Sequence, residues 1–217
     1  RGHLINFSTR NKIQIKAPHY ILITSNKGEN YLENIGYALQ NVTLEMACLG
    51  LGTTWLKCML TRDEVEEFVN LDKIKDKDES EIEYPQAIIA FGYPQEGEAL
   101  FRSSSAIHDR HRMKHICKTY DEKWFNALNA LRVAPSINNC QPWTLEQREN
   151  GFDLFEDEHK KRLELDKYSR ISMGVALRHF EIACKHDDID IEYKKLDVKD
   201  KRRKLYFLSV VEKAKQV

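Results

Sequence analysis

Two segments of this chain open with the same small-and-apolar pattern, and each leads into a helical repeat. Gly36-Tyr37-Ala38-Leu39 and Gly174-Val175-Ala176-Leu177 are both soon followed by a Glu, an Ala and a Cys: Glu45, Ala47 and Cys48 in the first, Glu181, Ala183 and Cys184 in the second. Small residues on one helix face let another backbone approach closely. The pattern therefore reads either as the packing of two core helices or as two related halves in one chain.

The rest of the sequence supplies strands around these helices. From Asn30 to Leu49 apolar residues recur at three- and four-residue steps, and Gly50 follows where a C-cap belongs. His19 to Thr24 and Gln86 to Gly92 are β-branched apolar runs that read as buried strands, and Thr53 to Leu56 as a short one. Arg62 to Val69 predicts a short helix, and the charge-dense stretch from Asp72 to Glu83 a solvated loop. Asp121 is a candidate N-cap for a helix to Val133 with Trp124, Leu128 and Leu131 on one face. Pro142 to Leu145 and Phe152 to Phe155 predict two strands joined by a turn at Asn150 and Gly151. Ser169 or Ser172 opens a last helix, and Leu205 to Val211 closes the chain as a strand. Helices alternating with short strands predict an α/β or α+β domain around one central sheet.

Charge and cysteine usage narrow the partners. The 217 residues carry 34 Lys+Arg against 34 Asp+Glu, so no sequence-wide field draws the chain to nucleic acid or anionic lipid. No apolar run is long enough to span a bilayer, and no charged-then-apolar leader opens the chain. Five cysteines without a Cys-x-x-Cys pair predict reduced thiols in a cytoplasmic protein. A small-molecule partner is expected, without nucleic acid or membrane. The basic run Lys194 to Lys204 reads as a solvated hairpin loop, because it contains no aromatic on which a base could stack.

The most specific segment is Ala134 to Trp143, APSINNCQPW, which packs two prolines, a Ser, two Asn and a Gln into ten residues between a helix and a strand. Such a loop is stiff and rich in hydrogen-bonding groups. On composition alone it is also a tight turn built by Pro135 and Asn139 and anchored by Trp143. The segment resembles the A-P-S-x-x-N-x-Q-P-W motif of the FMN-dependent nitroreductase family, whose loop reaches a flavin bound between two subunits. Two further stretches fit. Leu49-Gly50-Leu51-Gly52-Thr53-Thr54-Trp55 is similar to the family's G-L-G-T-x-W turn along the flavin ring, and Ala90-Phe91-Gly92-Tyr93-Pro94 to its strand-ending G-Y-P.

In common homodimeric members the first motif precedes the G-L-G-T turn, whereas here it follows. That order resembles a smaller branch in which one chain carries both halves of the usual dimer. The resemblance implies an α+β nitroreductase-like fold, a central mixed β-sheet flanked by helices, with pseudo-halves near residues 1–115 and 116–217. It implies FMN, held by Pro135, Ser136, Asn139 and Gln141 from one half and Leu51, Gly52 and Thr53 from the other. NAD(P)H would be the reductant, a nitroaromatic, quinone or similar acceptor the oxidant, and the chain a monomeric pseudo-dimer or weak homodimer. The chemistry would be the flavin's, so no side chain is assigned as catalytic. The family's arginine-rich opening segment has no match here; it is expected either upstream of Arg1 or to have been lost, with FMN then bound poorly or not at all.

The resemblance implies that the basic segment Arg102 to Lys114 meets the flavin phosphate, with Arg110 and Arg112 as the expected ligands, since guanidinium groups suit a phosphate; on composition alone it is a solvated charge run. His108, His111 and His115 share helical spacing, yet no carboxylate completes a metal set, and no metal is expected. The alternative function is a non-catalytic flavin-binding protein of the same fold.

Overall fold

The computed structural model describes residues 17–67, 69–71, 78, 81–100, 109–158 and 166–214. The chain divides into two units, Arg1–Tyr31 with Val42–Arg102, and Leu32–Asn41 with Ser103–Val217. Much of the segment read as a charged loop, together with Arg102 and His108, lies outside the described residues.

In the first unit, β1 (His19–Ser25), β2 (Gly52–Lys57) and β3 (Tyr84–Gly92) form an antiparallel sheet in the order β1-β3-β2. The run Gln86 to Ala90 is central and fully buried, as its unbroken apolar sequence requires. Its register with β1 slips between Ile23 and Thr24, where Pro85 faces Thr24 and has no N–H for the ladder. Helix α2 (Arg62–Glu66) starts on a capping box: the Thr61 hydroxyl accepts from Glu64 N (3.3 Å), and Glu64 Oε2 accepts from Thr61 N (2.7 Å). It is shorter than the sequence pattern suggested. Val65 packs with Cys58, Leu60 and Ile88 in this unit's core.

Helix α1 (Tyr31–Cys48) has the predicted extent and ends in a Schellman turn, but of the expected apolar stripe only Ile35 is buried while Val42 and Leu49 are exposed, because Glu33, Gly36, Gln40 and Thr43 take the inner face. Leu51 N donates to Met46 O (2.9 Å) and Gly50 N to Ala47 O (3.0 Å), with Gly50 at φ 79°.

The second unit contains α3 (Met113–Ile116), α4 (Phe125–Val133), β4 (Trp143–Arg148), β5 (Gly151–Asp157), α5 (Asp166–His186), β6 (Ile191–Lys194) and β7 (Lys204–Glu212). A 3-10 turn, Glu122–Trp124, precedes α4; Asp121 caps that turn without a side-chain hydrogen bond, so the helix proper begins later than expected. The four strands form an antiparallel sheet in the order β4-β5-β7-β6. The predicted hairpin between β4 and β5 is present. The single mixed sheet is replaced by two antiparallel sheets, one in each unit, because every strand pairs through a reversed neighbour. Helix α5 starts three residues before Ser169, whose hydroxyl is not a cap but donates to the fully buried Glu156 Oε1 (2.7 Å). The core of the unit is an aromatic trio: Trp124 meets Phe152 edge-on at 5.2 Å and stacks on Phe180 at 6.0 Å.

Strands β1, β2 and β3, with α1 after the first and α2 between the last two, have sheet order first-last-middle, and β5, β6 and β7, with α5 after the first, have the same order. The two Gly-x-Ala-Leu segments pack against each other within the second unit. A Cβ built on Gly36 would lie 1.9 Å from Ile171 O, and one on Gly174 would lie 1.9 Å from Glu33 O. The contact is reciprocal, since each glycine meets the carbonyl three residues before the other.

A polar clasp flanks this crossing. Arg170 Nη1 donates to Glu33 Oε1 (3.1 Å) and its Nε lies 3.1 Å from Glu156 Oε2. Arg178 Nη2 donates to Asn41 Oδ1 (2.6 Å), while both the Tyr37 hydroxyl and Arg178 donate to Glu181 Oε2. Gln40 Nε2 faces His179 Nε2 at 3.1 Å; an amide nitrogen only donates, so the imidazole nitrogen accepts and is unprotonated. Burial depresses His179 from 6.5 to about 4.

The unfolded chain therefore binds a proton that the folded one refuses between those values, and stability rises with pH across that window. His179 should contribute in full above pH 6.5, with about 2 to 3 kcal/mol lost as pH falls through 4. Denaturant titrations at pH 7 and pH 4.5 on the parent and on His179→Gln check this. An equal loss in both proteins would reject it.

Candidate functional site

Helix α4 stops at Val133 because Pro135 cannot continue it. Ala134 is fully buried, Ser136 is extended, and a 3-10 turn follows over Ile137–Asn139. Three residues within four then adopt left-handed backbone: Asn138 (φ 47°), Asn139 (φ 53°) and Gln141 (φ 47°). Asparagine tolerates this conformation, but glutamine pays roughly 1 kcal/mol or more for it. Such a cluster persists only where surrounding bonds over-determine it, and strain of this kind gathers at functional sites.

Those bonds come mainly from the segment just before α3. Asp109 O accepts from Asn139 Nδ2 (2.6 Å) and from Gln141 Nε2 (3.1 Å). His111 N donates to Gln141 Oε1 (2.7 Å), so the buried Gln141 amide is used at both ends. Arg110 Nη1 donates to Asn139 Oδ1 (2.6 Å) and its Nε to Val133 O (3.2 Å). Ser136 Oγ accepts from Gln141 N (2.9 Å), and Ile137 N donates to Ser172 Oγ on α5 (3.1 Å). Trp143 is buried at the start of β4, where the loop ends.

Of the residues singled out in the sequence, Ser136, Asn139, Gln141 and Arg110 thus meet in one hydrogen-bonded cluster, with Pro135 exposed beside it. Arg110 braces the loop. Arg112 is exposed, and among the described residues its side chain has no hydrogen bond or ion pair. Asp109, His111 and Val133 serve through main-chain atoms, for which side-chain patterns carry no signal. Ser172 was legible only as a helix start. The rings of His111 and His115 lie 6.3 Å apart, and among the described residues no group of three His, Cys, Asp or Glu comes together to hold a metal.

Leu51, Gly52 and Thr53 belong to the first unit, at the start of edge strand β2, with Gly52 opposite Gly92 and Thr53 opposite Phe91. A Cβ on Gly52 would meet Gly92 O at 3.5 Å and Leu100 Cδ1 at 4.0 Å, which is ordinary contact. The packing recorded there does not require a glycine.

Among the described residues no helix is long and apolar enough to cross a membrane. No curated protein matches the chain. A solved structure, that of a putative nitroreductase from Thermotoga maritima MSB8, superposes with a TM-score of 0.56 at 16% identity, covering 90% of this chain and 70% of that one. The likeness shows a shared nitroreductase-like α+β fold. A family model described as "Putative TM nitroreductase" matches residues 4–184, most of the chain. The protein therefore belongs to that nitroreductase family.

Proposed function

We propose that this protein is an FMN-dependent oxidoreductase that takes reducing equivalents from NAD(P)H and delivers them to a nitroaromatic, quinone or similar acceptor. The observation that carries the reading is the braced left-handed loop at 136–141, in a chain of nitroreductase family and fold. The donors suit a flavin mononucleotide. Arg112 offers a phosphate an exposed guanidinium that has no partner among the described residues. Ser136 accepts through Oγ, which leaves its hydroxyl hydrogen to donate to a polar ring edge.

Bound FMN would supply the redox chemistry, accepting hydride from NAD(P)H and returning electrons to the acceptor. The chain's part is to bind and orient. Arg112 would hold the phosphate, and Pro135 and Ser136 would present the loop to the ring. Asn139, Gln141 and Arg110 would keep that loop in its left-handed course; in the first unit, the bare main chain at Leu51, Gly52 and Thr53 suits close approach of a flat ring. We read the first-last-middle strand order shared by the two sheets and the reciprocal glycine crossing as two related halves in one chain.

Two experiments bear on this reading. Steady-state oxidation of NAD(P)H with a quinone should give parallel double-reciprocal lines in FMN-loaded protein. No turnover despite bound FMN would favour the non-catalytic alternative. Gly52→Ala should leave the melting temperature unchanged or slightly raised, since alanine fits there and restricts the unfolded chain. The same change should weaken FMN binding about tenfold by adding a methyl group where a flat ring must approach. Unchanged FMN affinity would remove Gly52 from the site.

A further inference from the structure

A cavity of about 550 Å3 opens in the second unit along β4, the edge strand of its sheet. The segment after α3 runs beside that edge and touches it through the isolated parallel bridge between Cys117 and Leu145. One bridge does not zip two chains together, and the gap between them is the cavity.

Its lining is rich in cations. Lys114, Lys118 and Lys204 line it against a single carboxylate, Glu146. That carboxylate is already held: burial works against its charge, but hydrogen bonds from Lys201 and Lys204 outweigh burial and keep its pKa below the ordinary value. Lys114 and Lys118 are exposed and have no hydrogen bond or ion pair among the described residues. The hydroxyl oxygen of Thr144, another lining residue, is buried without a hydrogen-bond partner. Ile116 and Leu145 also contribute to the lining but are almost fully buried. The volume falls within the roughly 300 to 1,000 Å3 typical of small-molecule sites, too large for a bare ion. Lysines without arginine offer point charges, which suit a phosphate monoester better than a planar carboxylate.

We propose that this cavity binds a small organic phosphate, its phosphate at the Lys114 and Lys118 rim and its uncharged body beside Thr144, between the 114–119 segment and β4. The ligand is bound and not modified there. The Cys117 thiol in the wall is pushed up to about 11 by burial, so at neutral pH it is no nucleophile. This site does not depend on the flavin reading, because Lys118, Thr144, Leu145 and Glu146 have no part in it.

The test is calorimetric titration of the full chain with AMP, adenosine and inorganic phosphate, each with and without saturating FMN. AMP should bind at least about tenfold more tightly than either fragment, and Lys118→Glu should lower AMP affinity by about tenfold or more. FMN should not displace AMP. Adenosine binding as tightly as AMP would overturn the phosphate, and inorganic phosphate binding as tightly would overturn the organic body. Displacement by FMN would merge the cavity with the flavin site and overturn its independence. The ligand series on the unmodified chain decides the matter even if Lys118→Glu fails to fold.

Discussion

Replacing Gly36 or Gly174 with alanine is expected to destabilise the chain by at least about 2 kcal/mol, although alanine is the better helix former by roughly 1 kcal/mol. Each new methyl group would sit 1.9 Å from a main-chain carbonyl oxygen, Ile171 O or Glu33 O, and neither backbone can move without parting the helices. Parting them would also stretch the Arg170–Glu33 and Arg178–Asn41 bonds, which span the same crossing. Both glycines guard one contact, so the double variant should cost less than the sum of the two singles. Denaturant unfolding of all three variants tests this. A neutral or stabilising Gly174→Ala would mean that the helices do not cross at these residues.

Arg110→Ala and Arg112→Ala should both weaken FMN binding, by different routes. A charge-assisted hydrogen bond is worth about 1.5 to 3 kcal/mol, or roughly ten- to 150-fold in affinity. Removing Arg112 should cost within that range for FMN and nothing for riboflavin, which lacks the phosphate, and the loss should shrink at high salt. Removing Arg110 leaves Asn139 Oδ1 and Val133 O without their guanidinium and frees a strained loop. Its cost should therefore reach about tenfold or more for riboflavin as well as FMN. Equal FMN losses that both vanish with riboflavin would make Arg110 a phosphate ligand and contradict the bracing role.

Much of this architecture was legible because it rests on local chemistry. The α1 extent and its glycine stop, the Asn150 and Gly151 hairpin, and the Trp124, Leu128 and Leu131 face are written into short windows. So was the special character of Ala134 to Trp143, where two prolines and four amide and hydroxyl side chains leave few conformations open. What was not legible depends on distant partners. The run HYILIT carries no mark that it pairs with QAIIAFG and not with LYFLSVV, so two sheets were read as one. Ser169 looked like a helix start because serine favours caps, yet its hydroxyl is buried against Glu156, on a strand thirteen residues earlier. The bracing bonds of Arg110 were not legible because its acceptors, a side chain and a main-chain carbonyl, lie 29 and 23 residues away.

The most direct test of the central claim is an equilibrium titration of FMN into the full-length chain, followed by flavin fluorescence and read beside its solution mass. The single-chain site predicts saturable binding of one FMN per chain, well below tens of micromolar, to a protein that remains monomeric. No binding at tens of micromolar, or binding only by a dimer at one FMN per two chains, would contradict it.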